Sequence, residues 1–154
     1  SEAGNDPRVK GLVYLSALVP DSHESVAGLL TRLHAPMTGL SADEQGLIWL
    51  DDPTLFHKVM ANDLSRQRAQ LLAAAQQPIA ARAFTDPLTH AAWHDKPSWY
   101  LVTENDAALN PTVQNALAKA IGATRVSLYS SHLSMISHAD RVAEFIDRAA
   151  RSLP

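Results

Sequence analysis

Two polar clusters in the last third of the chain contain residue types that suit proton transfer. Asp106 ends "TEND", which follows the apolar run "SWYLV", and His132 ends "SSH", which follows "TRVSLY". A carboxylate that binds one imidazole nitrogen fixes the histidine tautomer, and the other nitrogen can then take a proton from a hydroxyl. Asp106 and His132 are therefore candidates for the acid and base of a nucleophilic site. A turn aspartate and a loop histidine bonded to backbone would explain the same residues without any function.

The strands that precede these clusters must lie side by side if the two side chains are to meet. Three nearly continuous apolar runs, at 9–20, 98–105 and 124–130, are typical of strands buried on both faces of a parallel sheet. The carboxyl ends of parallel strands lie at one edge of a sheet. Asp106 and His132 can therefore meet across a single crossover, although 26 residues separate them.

Helical signals accompany the last two runs. In "NPTVQNALAKAIG", Asn110 is a cap, Pro111 occupies the first helical position and Gly122 is a stop signal. A final helix is predicted to begin near His138 and to bury one apolar face, formed by Val142, Phe145, Ile146 and Ala149. The order strand, helix, strand, helix predicts an α/β fold with parallel crossovers.

The middle of the chain, residues 21–96, has a different pattern. "DSHESVAGLLTRL", "DPTLFHKVMANDL" and "SRQRAQLLAAAQQPIAARAF" show helical periodicity between Pro and Gly breaks, and "GLIWLDD" (46–52) is a short extended candidate. We expect residues 1–20 and 97–154 to form a core and residues 21–96 to form a mostly helical cap over the strand ends. The apolar residues Leu29, Leu30, Leu33, Met37 and Leu40 either line an acyl pocket there or, as the stronger interpretation, pack within the cap and core.

Composition excludes several classes of function. The 154 residues are 46% hydrophobic and 19% charged, which is typical of one globular domain. A net charge of −3, with scattered Lys and Arg, gives no reason to expect nucleic acid as a partner. The chain lacks cysteine, which excludes disulfides and thiolates and is compatible with a cytoplasmic location without requiring one. No apolar run reaches the length of about 18 residues that a membrane span needs.

Three further histidines are weaker candidates for a functional role. His90 and His94 are four residues apart and can share a helix face with Asp86 or Asp95, which is one arrangement for a divalent metal. We expect no metal, because the stretch lacks an HExxH motif and Trp93 is typical of a packing segment. His138 is expected to have a structural role, and no cofactor is predicted.

A resemblance to a known family spans nearly the whole chain, and its most specific part is residues 97–146. "PSWYLVTENDAALNPTVQNALAKAIGATRVSLYSSHLSMISHADRVAEFI" resembles the C-terminal part of α/β-hydrolase-fold proteins of the esterase-like group. "VKGLVYLSALVPDSHES" resembles that group's sixth strand and cap entry, and "AAWHDKPSWY" resembles its cap exit. The resemblance implies that Asp106 is the acid after the seventh strand and His132 the base after the eighth. Because "TEND" has one extra residue before the aspartate, Glu104 remains a possible substitute acid.

The family's nucleophile has no counterpart in this sequence. It lies in G-x-S-x-G, whose small residues permit a strained turn between strand and helix. The six glycines, at 4, 11, 28, 39, 46 and 122, include no pair four apart. By the resemblance, "SEAGNDPRV" matches a segment shortly after that turn, so we expect the chain to begin partway along the following helix. Ser16, Ser131 and Ser134 are poor substitutes, because hydroxyls at strand ends and turns commonly bond to nearby backbone.

The resemblance implies a serine hydrolase acting on a small-molecule ester or related acyl substrate. In that interpretation this chain supplies His132 and Asp106 and is inactive without the serine. A noncatalytic binding or assembly module and a lyase on the same scaffold are the alternatives. The apolar strand at 9–17 is expected to have an unpaired edge, which predicts a homodimer or pairing with an N-terminal half through that edge.

Overall fold

The computed structural model describes residues 1–36 and 41–153. In chain order, its strands and α-helices are β1 (Leu12–Leu15), α1 (Val26–Arg32), β2 (Leu47–Ile48), α2 (Pro53–Val59), α3 (Arg66–Ala74), β3 (Ile79–Ala80), α4 (Arg82–Thr85), β4 (Ser98–Thr103), α5 (Pro111–Ala120), β5 (Thr124–Leu128), α6 (Ser134–Ser137) and α7 (Ala139–Arg151). Short 3-10 helices occupy Glu2–Asn5 and Ala92–His94. Within the described ranges, no helix combines the length and apolar character needed to cross a bilayer.

The centre of the fold is a three-stranded parallel sheet in the order β1-β4-β5. Leu12 of β1 lies opposite Ser98 of β4, and Trp99 of β4 lies opposite Thr124 of β5. The predicted α/β class is therefore confirmed, with parallel strands and flanking helices.

Helices cover both faces of this sheet. On one face, Tyr100 and Val102 belong to a buried cluster with Leu117 of α5 and Leu29 of α1. On the other face, Leu101 packs with Val142 and Phe145 of α7. Strand β4 lies between these two clusters and is buried along most of its length. It therefore provides a fixed platform for the loop that follows it.

The prediction of strands buried on both faces holds for β4 and is wrong for β1 and β5. Val13 of β1 is 37% exposed, and Thr124, Arg125 and Ser127 of β5 are exposed. Both strands lie at the edges of the sheet, so fewer neighbours cover them than cover β4. Strand β1 is also shorter than the apolar run at 9–20.

The final helix differs from its prediction at one residue. Val142, Phe145 and Ala149 are buried as expected, whereas Ile146 is 44% exposed. The buried residues follow i, i+3, i+7 spacing and form a narrow stripe along α7. Ile146 lies beside that stripe, since successive helical residues are rotated by about 100°.

Local capping signals position the helices. The side chains of Ser25, Asp52, Ser65 and Asn110 each accept a backbone N–H in the first turn of α1, α2, α3 and α5 respectively. These bonds satisfy donors that a helix leaves unpaired at its start. Gly122 follows α5 with a φ of +63°, which a residue without a Cβ adopts at little cost.

Between β1 and β4, residues 21–96 contain α1 to α4 and a small antiparallel sheet. The extended piece predicted at 46–52 is β2, whose Leu47 lies opposite Ala80 of β3. Helices α2 and α3 pack around Phe56. Leu29 and Leu30 are buried, while Met37 and Leu40 lie outside the described residues. The assignment of residues 21–96 as a separate cap remains a prediction.

Candidate active site

The structure brings Asp106 and His132 together. Asp106 follows β4, His132 follows β5, and the imidazole Nδ1 lies 2.8 Å from the carboxylate Oδ2. Backbone hydrogen bonds continue past the paired strands, from Glu104 N–H to the Leu128 carbonyl at 2.9 Å and from Asn105 N–H to the Ser130 carbonyl at 3.1 Å. These bonds hold the two loops in register up to the side chains that meet.

Among the described residues, five donors surround the Asp106 carboxylate. Oδ1 accepts the backbone N–H groups of Ala108 and Leu109, each at 2.8 Å. Oδ2 accepts the Thr103 hydroxyl at 2.7 Å and the Gln114 amide at 2.9 Å, in addition to its contact with His132. The carboxylate is thus completely hydrogen-bonded, although its side chain is 0% exposed.

This environment favours the ionised form of Asp106. Burial alone would raise the pKa of the carboxyl. The hydrogen bond and charge of His132, together with the bonds from Leu109 N–H and the Thr103 hydroxyl, outweigh burial and lower the pKa below its ordinary value. An ionised Asp106 accepts a hydrogen bond from Nδ1–H of His132, so in the neutral ring Nε2 is the nitrogen without a proton and can act as the acceptor.

Sequence reasoning missed Thr103 and Gln114. Gln114 is fully buried, and its Oε1 accepts the Thr103 N–H at 3.0 Å while its Nε2 donates to the Leu109 carbonyl at 2.7 Å. A signal was present, because Gln114 shares the buried face of α5 with Leu117 and Ala118. A polar residue on an apolar helix face indicates a buried hydrogen-bonding partner.

His132 lies at the wall of a large cavity. The imidazole is 24% exposed, and within the described residues Nε2 has no hydrogen-bond partner. The cavity has a volume of about 1380 Å³ and lies between the carboxyl ends of the strands and residues of the 21–96 segment. Its described lining is mainly apolar and includes Leu15, Ala17, Leu33, Leu50, Val59 and Leu109. Leu33 thus contributes to a pocket, whereas Leu29 belongs to the core.

The other predicted candidates do not join this pair. Glu104 is exposed and, in the described part of the chain, makes no side-chain hydrogen bond to His132. Ser131 and Ser134 are 0% exposed. Ser16 lines the cavity, but its hydroxyl donates to the His132 carbonyl at 3.1 Å rather than to the ring, and its φ is +41°.

The three other histidines that the sequence suggested as candidates form separate contacts. His90 pairs with Asp95 at 2.6 Å, and His94 pairs with Asp21 at 2.7 Å. In the described ranges, no three or more His, Asp or Glu side chains are grouped as metal ligands. His138 Nδ1 lies 2.9 Å from the Ser137 hydroxyl, just before α7.

Known proteins share this architecture. The chain is 32% identical over 143 residues to the alpha/beta hydrolase nvfD of Aspergillus novofumigatus, a match that covers 90% of the chain and 56% of that protein. The chain therefore spans just over half the length of this curated relative.

Solved structures give the same fold. A pyrethroid hydrolase from Sphingobium faniae JZ-2 has a TM-score of 0.74 at 21% identity, covering 92% of this chain and 61% of its own. A methylesterase from Arabidopsis has a TM-score of 0.68 at 16% identity, covering 93% and 60%. Polyneuridine aldehyde esterase has a TM-score of 0.72 at 16% identity, covering 95% and 65%.

The family assignment follows from a match over nearly the whole chain. The model of the alpha/beta hydrolase family matches residues 2–145, a range that includes the parallel sheet, the 21–96 segment and both loops of the site. The chain belongs to the alpha/beta hydrolase family.

Proposed function

We propose that this chain supplies the base and the orienting acid of a serine-hydrolase site that cleaves ester or related acyl substrates. His132 is the base and Asp106 is the acid. The observation that carries the proposal is the 2.8 Å contact between His132 Nδ1 and the buried Asp106 Oδ2, at the wall of an apolar cavity. The esterases and the pyrethroid hydrolase among the similar folds support this substrate class.

His132 transfers the proton in this mechanism. A serine hydroxyl attacks the substrate carbonyl carbon while Nε2 of His132 takes the hydroxyl proton. The same proton then passes to the departing alcohol, which leaves an acyl-enzyme. Water attacks the acyl group, gives a proton to Nε2 and releases the acid when that proton returns to the serine. Asp106 remains ionised throughout and stabilises the transient imidazolium.

The nucleophile comes from outside these 154 residues. The sequence contains no G-x-S-x-G, and the serines nearest His132 have buried or backbone-bonded hydroxyls. In the complete protein, that serine would have to lie within hydrogen-bond distance of His132 Nε2.

The cavity suits an uncharged small-molecule acyl substrate. Neither Lys nor Arg occurs in its described lining, and Asp106 is the acidic residue there. An anionic substrate would therefore lose its hydration without gaining a lysine or arginine partner in that lining. We expect bulky apolar esters to be hydrolysed in preference to esters with a free carboxylate.

The test compares His132→Ala and Asp106→Asn in the complete protein that contains this chain, with a panel of p-nitrophenyl esters. We expect each variant to lower kcat by about 10³-fold or more, the scale reported for catalytic triads. His94→Ala is the matched control, because His94 also pairs with a carboxylate but lies outside the cavity lining. Retention of wild-type ester hydrolysis by His132→Ala would refute the proposal.

Labelling with a fluorophosphonate tests the origin of the nucleophile. The complete protein should react and the 154-residue chain should not. Reaction of the isolated chain would show that a serine within it is nucleophilic, and Ser16→Ala would be the next variant to examine. A complete protein that binds esters in its cavity without labelling or turnover would instead be a noncatalytic module.

A further inference from the structure

Two adjacent residues in the turn between α2 and α3 contact both loops of the site. The Asn62 amide Nδ2 donates to the backbone carbonyl of Asn105 at 3.1 Å. The Asp63 carboxylate Oδ2 accepts the backbone N–H of Ser131 at 2.9 Å. Asn105 directly precedes Asp106, and Ser131 directly precedes His132. One turn of the 21–96 segment is therefore hydrogen-bonded to the immediate neighbours of both the acid and the base.

Further contacts reinforce the Asp63 side of this arrangement. The Ser130 hydroxyl donates to Asp63 Oδ2 at 3.3 Å, and His138 Nδ1 lies 3.8 Å from the same oxygen. Burial alone would raise the pKa of the Asp63 carboxyl, but hydrogen bonds from Ser131, Ser137 and Ser130 outweigh it and lower the pKa. Asp63 is therefore held as an anion, and hydrogen bonds to an anion are stronger than those to a neutral acceptor.

Hydrophobic packing also holds the loop that carries His132 against helices α2 and α3. Leu133, which directly follows His132, packs against the Phe56 cluster of α2 and α3. Its backbone N–H also donates to the Met60 carbonyl at 3.3 Å. The loop that carries His132 is thus attached to the α2–α3 turn on both sides of the histidine.

Asn62 is not arranged for stability alone. Its Oδ1 is buried and, within the described residues, lacks a hydrogen-bond partner. A buried unsatisfied oxygen costs free energy, so an apolar residue here would avoid that cost. Within the described residues, the Asn62 side chain makes one hydrogen bond, which runs from Nδ2 to the backbone of the loop that carries Asp106.

We propose that Asn62 and Asp63 are positioning residues, which fix the Asp106–His132 pair by holding the backbone beside each member. This inference rests on the proposed function for its catalytic consequence, but the contact itself is testable without catalysis. A change in the α2–α3 turn would alter the site even though neither residue lines the cavity.

The first test uses NMR on the complete protein that contains this chain. The Nδ1–H proton of His132, hydrogen-bonded to a carboxylate, should give a distinct low-field resonance that Asp106→Asn abolishes. We expect Asp63→Ala and Asn62→Ala to shift or broaden this resonance while circular dichroism retains the wild-type helix content. Asp43→Ala is the matched control, because Asp43 also accepts backbone hydrogen bonds, from Gln45 and Leu47, but among the described residues it makes no hydrogen bond to either loop of the site. An unchanged resonance in folded Asp63→Ala would overturn the proposal.

The second test measures ester hydrolysis by the complete protein. A displacement of about 1 Å at a reacting group can cost about 10²-fold in rate, so we expect Asp63→Ala to lower kcat by about 10- to 100-fold. KM should change less than about twofold, because the variant leaves unchanged the binding energy that the ground state and the transition state share. Asp63→Asn keeps an acceptor oxygen and should retain more activity than Asp63→Ala, and Asn62→Ala tests the second contact if Asp63→Ala fails to fold. Equal kcat values for wild type and folded Asp63→Ala, or for wild type and Asn62→Ala where Asp63→Ala does not fold, with an unperturbed His132 resonance, would refute the inference.

The two tests separate this inference from the proposed function. If His132→Ala leaves hydrolysis unchanged, the catalytic assignment fails, yet a lost His132 resonance in Asp63→Ala would still support the positioning contact. If His132→Ala abolishes hydrolysis and Asp63→Ala changes neither kcat nor the resonance, only the positioning role fails.

Discussion

Replacing the buried Gln114 with leucine should destabilise the fold more than replacing an exposed glutamine with leucine. The Gln114 amide is fully buried and bonds to the Thr103 N–H at 3.0 Å, the Leu109 carbonyl at 2.7 Å and the Asp106 carboxylate at 2.9 Å. Leucine has a similar size and helix propensity, so packing and helix formation change little. The substitution therefore isolates the loss of hydrogen bonds.

The expected magnitude follows from these three bonds. Losing the bond to the ionised Asp106 costs about 1.5 to 3 kcal/mol, and each backbone group left buried without a partner costs about 1 to 3 kcal/mol. Burial of the leucine side chain stabilises the folded state by about 1.5 kcal/mol or more and offsets part of this loss. We expect Gln114→Leu to lower the free energy of unfolding by about 2 to 7 kcal/mol, compared with a total of about 5 to 15 kcal/mol for a typical domain.

Urea unfolding followed by circular dichroism measures this difference. Gln67→Leu is the matched control, since Gln67 lies exposed in α3 and should change the free energy of unfolding by no more than about 0.5 kcal/mol. Gln114→Glu gives a second readout, because it places a second carboxyl beside Asp106. That variant should be destabilised at neutral pH and regain stability on acidification, when protonation restores a donor. A Gln114→Leu variant within about 1 kcal/mol of Gln67→Leu would refute the reasoning.

Two further predictions concern acid stability and association. Because the pKa of Asp106 is lowered in the folded state, its contribution is present above the unfolded-state pKa of about 3.9 and is lost as pH falls through the folded-state value. The free energy of unfolding of wild type should therefore exceed that of Asp106→Asn at neutral pH and converge with it below about pH 4, whereas a constant gap would contradict the pKa assignment. The edge of β1, where Val13 is 37% exposed, should support association of the isolated chain, and Val13→Lys should reduce it. Light scattering after size-exclusion chromatography measures the oligomeric state. A wild-type chain that is monomeric at high concentration would count against association through the β1 edge.

Local signals in the sequence were sufficient for much of the fold. Asn110, Pro111 and Gly122 act within a few residues of their own positions, and they mark α5 as the structure has it. The order of strands and helices was likewise enough to predict that the loops bearing Asp106 and His132 share one edge of a parallel sheet. Such predictions succeed because the forces involved are short-range along the chain or are fixed by the sheet topology.

Burial depends on neighbours that a local pattern does not contain. The runs at 9–20 and 124–130 predict buried strands, but β1 and β5 lie at the edges of the sheet, where Val13 and Arg125 are exposed. Hydrophobicity is a property of a single residue, whereas burial also requires neighbouring elements on each side. The order of the strands in the sheet decides which strands have such neighbours, and an apolar run alone does not specify that order.

The same reasoning explains why the surroundings of the site escaped prediction. Asn62 and Asp63 lie 43 and 68 residues from their partners Asn105 and Ser131, and no periodicity links positions so far apart. Gln114 was visible as a polar residue on an apolar helix face, but its partner Asp106 was identifiable only through tertiary structure. Reactive groups can be predicted from residue type because their chemistry is intrinsic. The residues that hold them in place are defined by contacts, so their identity depends on how the α2–α3 turn packs against the ends of β4 and β5.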